Sequence, residues 1–279
     1  MNKTNSHRPK QLSRRDMLRG LSAGSLLGLG LWPGCASVSA EGKTAATKPF
    51  QFIEVNDTHY MSPECGEWLQ KVVKKMTTHN KAEFCLHLGD ITDNAEREHF
   101  AAVRDIFKNL QLPFYCQIGN HDYAAQKDRK SYEEIFPKRL NYWFEHRGWQ
   151  FLGLDTTQGT DYQNTVIGDA TLGWVDDSLP KLEKAKPTVL FTHFPLGEGV
   201  TYRPANADAL LNRFRDFNLQ AAFSGHFHGY TERTLLKAIL TTNKCCALKR
   251  GNHDNTKEKG YFLCTASDSG VKREFVEVS

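Results

Sequence analysis

The sequence predicts an α/β fold whose strand ends carry a ligand site. From residue 50 onward, apolar strand-like runs alternate with amphipathic helical stretches, the pattern of a largely parallel sheet flanked by helices. Five of the apolar runs end in residue types that bind metals or move protons: Asp57 and His59, Asp90, Asn120 and His121, His193, then His226 and His228. A side chain at the C-terminal tip of a buried strand is rigidly held and faces the crevice where open α/β sheets take their ligands. That recurrence is a stronger signal than any single residue in it.

Residues 50–55 alternate apolar and polar like a half-buried strand and run into Asn56-Asp57-Thr58-His59. Over 64–80, Trp68, Leu69, Val72, Val73 and Met76 fall on one helical face. Residues 84–88 make the second strand, which ends in Gly89-Asp90 with Asp93 three positions on. Asp93 or Asn94 offers the cap of a second helix with Phe100, Val103, Ile106, Phe107 and Leu110 as its apolar face. Pro113 stops that helix, and residues 114–118 form a third strand entering Gly119-Asn120-His121-Asp122. The charged, aromatic stretch 123–148 is expected to be a loop with a short helix, forming one wall of a pocket. Strands at 149–154 and 188–191 bracket a helix at 172–182, the second strand delivering Thr192-His193. A helix at 207–217 and a strand at 221–223 lead to Ser224-Gly225-His226-Phe227-His228. The tail holds only short strand-like runs at 234–241, 261–265 and 274–278, expected to be antiparallel.

A hydrophobic content of 39% with 24% charged residues supports a sizeable core. The formal charge of +4 is concentrated at one end: residues 1–40 hold six basic side chains against Asp16 alone, leaving 30 basic against 31 acidic beyond them. No basic footprint for nucleic acid survives in that remainder. Ser13-Arg14-Arg15-Asp16-Met17-Leu18 resembles the twin-arginine export pattern, and the apolar stretch 18–32 after it is shorter than the ~20 residues a bilayer needs. Val38-Ser39-Ala40 offers a cleavage point. These features predict a leader at 1–40, a linker at 41–48 and one domain at 49–279, exported through the twin-arginine machinery to the periplasm or another extracytoplasmic space. The mature chain is expected to have no transmembrane helix. An uncleaved anchor is the alternative, and lipidation at Cys35 a minor one. Six cysteines lie beyond residue 40, an even number that permits disulfides in an exported chain. Cys85 and Cys116 fall inside apolar strands, where buried thiols are common, and none has zinc-site spacing. They are expected to be structural, with no pairing assigned.

Asp-x-His, Gly-Asp, Gly-Asn-His-Asp, a lone histidine after a strand and Gly-His-x-His occur here in that order. The ordered set, spanning residues 50 to about 230, resembles the calcineurin-like metallophosphoesterases. The resemblance implies a four-layer αββα sandwich of two mixed sheets, with a dinuclear metal site at the C-terminal strand ends. It implies that Asp57, His59, bridging Asp90 and His228 hold one ion, and Asp90, Asn120, His193 and His226 the other. That mix of imidazole, carboxylate and amide suits two divalent or mixed-valence transition metal ions, Mn, Fe, Zn or Co. Such a pair clamps the oxygens of a small phosphate ester and acidifies the water between the ions for in-line attack. His121 would then stand beside the metals without ligating them and protonate the leaving oxygen, with Asp93 orienting its ring.

Tyr123 and Arg203 each follow a ligand motif closely and are candidate substrate contacts from loop position alone. Gly251-Asn252-His253-Asp254 repeats the third motif, yet its charged flanks Lys249, Arg250, Lys257 and Lys259 favour a turn between tail strands over a metal role. His7, His79, His87, His99 and His146 are expected to be surface or core residues. Calcineurin-type protein phosphatases continue the bridging motif as Gly-Asp-x-x-Asp-Arg-Gly and have Gly-Asn-His-Glu; here Asn94 follows Asp93 and Asp122 ends the third motif. Purple acid phosphatases have tyrosine where Asp93 stands and lack the first-motif histidine. The pattern is nearer the small phosphodiesterases of the family, including those acting on cyclic nucleotides. A nucleotidase-like phosphomonoesterase is the enzymatic rival, and a silent metal-binding interaction module the rival from another class.

Overall fold

Strand β1 (Phe50–Val55) is the hinge of the architecture, because its two faces look into different cores. Phe50 and Phe52 point to one side and Ile53 and Val55 to the other, as the two-residue period of a strand requires. The computed structural model describes residues 48–279. The expectations of a leader, its cleavage, export and lipidation at Cys35 lie outside the described residues.

Strands β2 (Ala82–His87) and β3 (Phe114–Cys116) follow β1 in parallel, joined by helices α1 (Pro63–Met76) and α2 (Arg97–Phe107). On the other side of β1 lies β10 (Gly260–Ser267), antiparallel, with β11 (Gly270–Glu277) outside it. The first sheet therefore runs β11-β10-β1-β2-β3. Leu69, Val72 and Met76 of α1 and Phe100, Val103 and Phe107 of α2 pack on its outer face with Ile53, Val55 and Cys85. After the short helix α3 (Lys130–Ile135) comes a second sheet of β4 (Tyr142–His146), β5 (Trp149–Leu154), β6 (Thr188–Thr192), β7 (Leu219–Ser224), β8 (Thr231–Leu235) and β9 (Ala238–Thr242). Its order is β4-β5-β6-β7-β9-β8, parallel at the centre with an antiparallel strand on each edge. Helices α4 (Asp169–Ser178) and α5 (Ala207–Arg213) cover it from outside through Val175, Leu210 and Leu211.

The two sheets meet in an aromatic layer of Phe52, Phe84, Phe151, Phe191 and Phe223. Phe52 and Phe84 stack at 5.0 Å, and each such side chain fully buried contributes about 1.5–3 kcal/mol. The result is the expected four-layer sandwich. One ion pair penetrates this layer, Glu54 on β1 with Arg273 on β11 at 3.0 Å, the guanidinium lying over Phe262.

Several local expectations are corrected. Residues 123–148 contain β4 as well as α3, because Arg147 and Gly148 both take positive φ (47° and 80°) and form a two-residue hairpin onto β5. The run 234–241 is a hairpin that turns at Leu236-Lys237, and β9 lies parallel to β7, so the tail is not wholly antiparallel. Helix α2 starts at Arg97 without a cap from Asp93 or Asn94. Their side chains are engaged elsewhere, Asp93 with His59 and Arg250, Asn94 with Glu96 and His99. All six described cysteines are buried free thiols. No helix among the described residues is long and apolar enough to cross a membrane.

Candidate metal centre

The ligand candidates lie on loops that reverse sharply at the strand ends. Asp57, His59, Asp90, His226 and His228 all have φ between 42° and 65°, a left-handed region unfavourable for side chains with a Cβ. Such strain persists only where the surroundings over-determine it. Here Asp57 N–H donates to Gly89 O and His59 N–H to Asp90 O, both at 3.0 Å, so the first two loops hold each other. Asp122 accepts N–H groups from Thr92 and Gly119 at 2.9 Å and from Ile91 at 3.2 Å, tying the Asp90 loop to the Asn120 loop. Gly119 is required for that approach, since a Cβ there would fall on the Asp90 carboxylate.

Two groups of side chains converge. In the first, His59 Nε2 lies 3.5 Å from Asp90 Oδ2 and 3.2 Å from His228 Nε2, and His228 Nε2 lies 3.2 Å from Asp57 Oδ1. In the second, His193 Nε2 lies 3.3 Å from Asp90 Oδ1 and 3.2 Å from both Asn120 Oδ1 and His226 Nδ1. Asp90 offers one oxygen to each group. All seven expected ligand residues are thus brought together and buried.

The donor set fits a cation pair. Each of the four imidazoles has its outer nitrogen against an acceptor: His59 Nδ1 on the Asp93 carboxylate at 3.0 Å, His193 Nδ1 on Leu88 O at 2.9 Å, His226 Nε2 on Tyr162 O at 2.8 Å and His228 Nδ1 on Gly251 O at 3.3 Å. Those acceptors fix the tautomers, leaving bare nitrogens turned inward on carboxylate and amide oxygens. A buried cluster made only of acceptors calls for positive charge. The carboxylates and the burial pull the histidine pKa values in opposite directions. Burial works to lower the His193 pKa, yet Asp90 and Asp57 raise it to about 9. Asp57 likewise lifts His228 well above the ordinary value against its burial, whereas burial and the neighbouring His193 bring His226 down to about 3.

His121 stands beside this centre, its ring 4.8 Å from that of His59. Its Nδ1 donates to the backbone carbonyl of Asp93 at 3.0 Å, while the Asp93 carboxylate is 3.7 Å away and receives His59 and Arg250 instead. The expectation that the Asp93 side chain orients His121 is therefore corrected: it orients His59. Tyr123 lines the cleft, but its hydroxyl is taken up by Thr157 at 3.0 Å and by Arg129, which donates to it at 3.1 Å. Arg203 lies outside the cleft, bonded to Leu196 O and Asp208. His87 is structural as expected, sharing a hydrogen bond of 3.0 Å with Thr58, and burial lowers its pKa to about 3.

The second Gly-Asn-His-Asp is a loop braced by its own asparagine. Asn252 accepts the Cys245 N–H and donates to Glu258 O, both at 2.9 Å. The loop nevertheless belongs to the site, because Gly251 O holds His228 and the His253 ring stacks on that of His228 at 5.1 Å. Arg250 of the same loop lines the cleft, as do Tyr162 and Tyr202. Tyr162 and Tyr202 carry no mark in the sequence, and Arg250 reads there only as a flank of the repeated motif. The repeated motif was the one available signal, and its basic flank pointed away from the site. The cleft over the centre holds about 630 Å³.

Comparison with known proteins gives the same picture. The profile described as "Calcineurin-like phosphoesterase" matches residues 50–230. The chain is 27% identical over 219 residues to "Probable glycerophosphodiester phosphodiesterase GpdQ" of Arcobacter nitrofigilis, 68% of this chain and 76% of the relative. It is 27% identical over 107 residues to a protein of Synechococcus named "Probable cyclic nucleotide phosphodiesterase", where it spans 38% of this chain and only 40% of the relative. Among solved structures, the purple acid phosphatase PPD1 of yellow lupin superposes with a TM-score of 0.63 at 13% identity. That match covers 83% of this chain and 52% of the lupin chain, a likeness of fold.

Proposed function

The chain belongs to the calcineurin-like phosphoesterase family and is a metal-dependent phosphoester hydrolase; from that premise we propose that its substrate is a small phosphodiester. One observation carries the choice of diester over monoester. Among the described residues lining the cleft, Arg250 is the only lysine or arginine, and its Nε and Nη2 are both engaged by Asp93 Oδ1. A monoester dianion has three terminal oxygens to neutralise. A diester monoanion has two and carries less charge, so it would need no side-chain cation beyond the ions the site would hold. The glycerophosphodiester and cyclic-nucleotide names of the two relatives favour the same choice.

When bound, the metal pair would supply charge neutralisation for the phosphate and an acidified water for attack. Asp57, His59, Asp90 and His228 would hold one ion and Asp90, Asn120, His193 and His226 the other. The chain contributes the rest. The carbonyls of Leu88, Tyr162 and Gly251 and the Asp93 carboxylate lock the four imidazoles with their lone pairs inward. His121, anchored through Nδ1, presents Nε2 as the atom that carries a proton to the departing alkoxide. The proposal keeps the export expected from residues 1–40. Its test is the Mn-loaded chain assayed with bis(4-nitrophenyl) phosphate against 4-nitrophenyl phosphate. The diester is expected to have the higher kcat/KM, and a faster monoester would overturn the reading.

A further inference from the structure

The cleft has two unlike flanks. On one, His121 packs against His59, with Asp93 and Arg250 behind it. On the other, the Tyr202 ring lies 5.1 Å from that of His226 and 6.2 Å from that of His253. Tyr162 meets Tyr202 at 6.3 Å and 65°, and is 55% exposed at the rim. Tyr202 sits there at φ 67°, a backbone conformation unfavourable for a tyrosine, and the Tyr162 carbonyl is the acceptor that fixes the metal-side tautomer of His226. The backbone that carries the Tyr162 ring is therefore tied to the reacting centre, and the Tyr202 ring lies against His226.

We propose that this aromatic corner binds a planar ring, a nucleobase or comparable heteroaromatic, on the ester group that stays with the phosphate; the inference rests on the diesterase reading above. Three features support it. A large, half-exposed aromatic at the rim of a polar cleft is a stacking platform, and stacking tolerates different bases because each has a π face. A cleft of about 630 Å³ is far larger than a small aliphatic diester fills. The ester group that reaches His121 for its proton lies beside His59, so the group at Tyr202, beside His226, is the other one.

The test compares thymidine 5′-(4-nitrophenyl phosphate) with methyl 4-nitrophenyl phosphate on the Mn-loaded chain. Both lose nitrophenolate, so the ratio of their kcat/KM values reports the retained group alone. Tyr202→Leu is expected to lower that ratio about tenfold, chiefly through KM of the nucleoside ester, since base stacking is worth a factor of roughly 5–160. Tyr202→Phe should keep the ratio, and Tyr162→Leu should lower it less, with metal content unchanged in all three. Thymidine alone, titrated by saturation-transfer NMR, should bind the wild type and be weakened in Tyr202→Leu. An unchanged ratio, or thymidine binding that survives Tyr202→Leu, overturns the inference. If the wild type hydrolyses 4-nitrophenyl phosphate and neither diester, the diesterase reading fails instead, and thymidine binding still decides the ring site.

Discussion

His59 Nδ1 lies 3.0 Å from the carboxylate of Asp93, three residues beyond the shared ligand candidate Asp90. That contact couples a proposed ligand of the first ion to the Arg250 guanidinium at the cleft wall, and burial against these two hydrogen bonds leaves the Asp93 pKa at about 2. Asp93→Ala should therefore weaken the first ion by about 10–100-fold, the usual effect of removing a partner that orients a ligating imidazole. Chelator competition measures this. Retention of wild-type metal affinity would show that His59 needs no such support.

His121→Ala should behave differently. With its ring anchored to a backbone carbonyl, it is not expected to change metal content. Alkyl diesters should slow by ~10²–10⁴-fold and nitrophenyl diesters much less, because nitrophenolate leaves without a proton. Equal slowing of both ester types would assign His121 to gripping the phosphate.

The two Gly-Asn-His-Asp copies should separate under mutation. Asn120 Oδ1 points into the second ligand group, so Asn120→Ala should cost the second ion. Asn252→Ala should keep both ions and lose about 1–2 kcal/mol of stability, since its amide braces the loop at Cys245 and Glu258. Elemental analysis and a denaturant titration of each variant distinguish these outcomes, and equal metal loss would contradict them.

Glu83 on β2 fastens the two sheets by accepting hydrogen bonds from His146 at 2.6 Å and Arg147 at 2.7 Å on the β4–β5 hairpin. The Arg147 bond holds its carboxyl below the ordinary 4.5, against a smaller effect of burial. A depressed folded-state value means that this stability is present above about 4.5 and is lost as pH falls through the folded value. Glu83→Gln should thus be less stable than wild type at pH 7, by no more than about 1 kcal/mol for a partly exposed pair. The gap should close in strong acid. Unfolding midpoints across pH test it, and a gap that widens in acid would exclude the linkage.

Much of the centre was legible because its ligands follow strands whose apolar runs are unmistakable. Asp57, Asp90, Asn120, His193 and His226 could be picked out by position alone. Residues acting through their backbones carry no such mark: the Tyr162, Leu88 and Gly251 carbonyls hold three of the four imidazoles, and any residue type could supply them. Arg250 was hidden for another reason: it flanks a turn between tail strands, and the fold returns that loop to Asp93, a contact between positions far apart in sequence. Arg203 failed in the opposite sense, since nearness to His193 in the chain did not bring its side chain into the cleft. Hairpin β4–β5 was hidden because Arg147 takes a left-handed turn position that asparagine or glycine would have advertised.

The place of β1 beside β10 has a consequence for how the protein is made. β1 carries Asp57 at its tip, yet its second edge is closed by pairing of Phe50 with Ala266 and Phe52 with Cys264. During synthesis this strand leaves the ribosome long before its partner, since Phe50 pairs with Ala266. Until then one side of a strongly apolar strand presents open N–H and C=O groups, a template for pairing with a neighbouring nascent chain. Long-range closure of this kind is intrinsically slow. The first sheet can finish only once β10 has emerged, and a nascent chain held by a chaperone over residues 50–55 is protected through the interval in which it is most prone to associate.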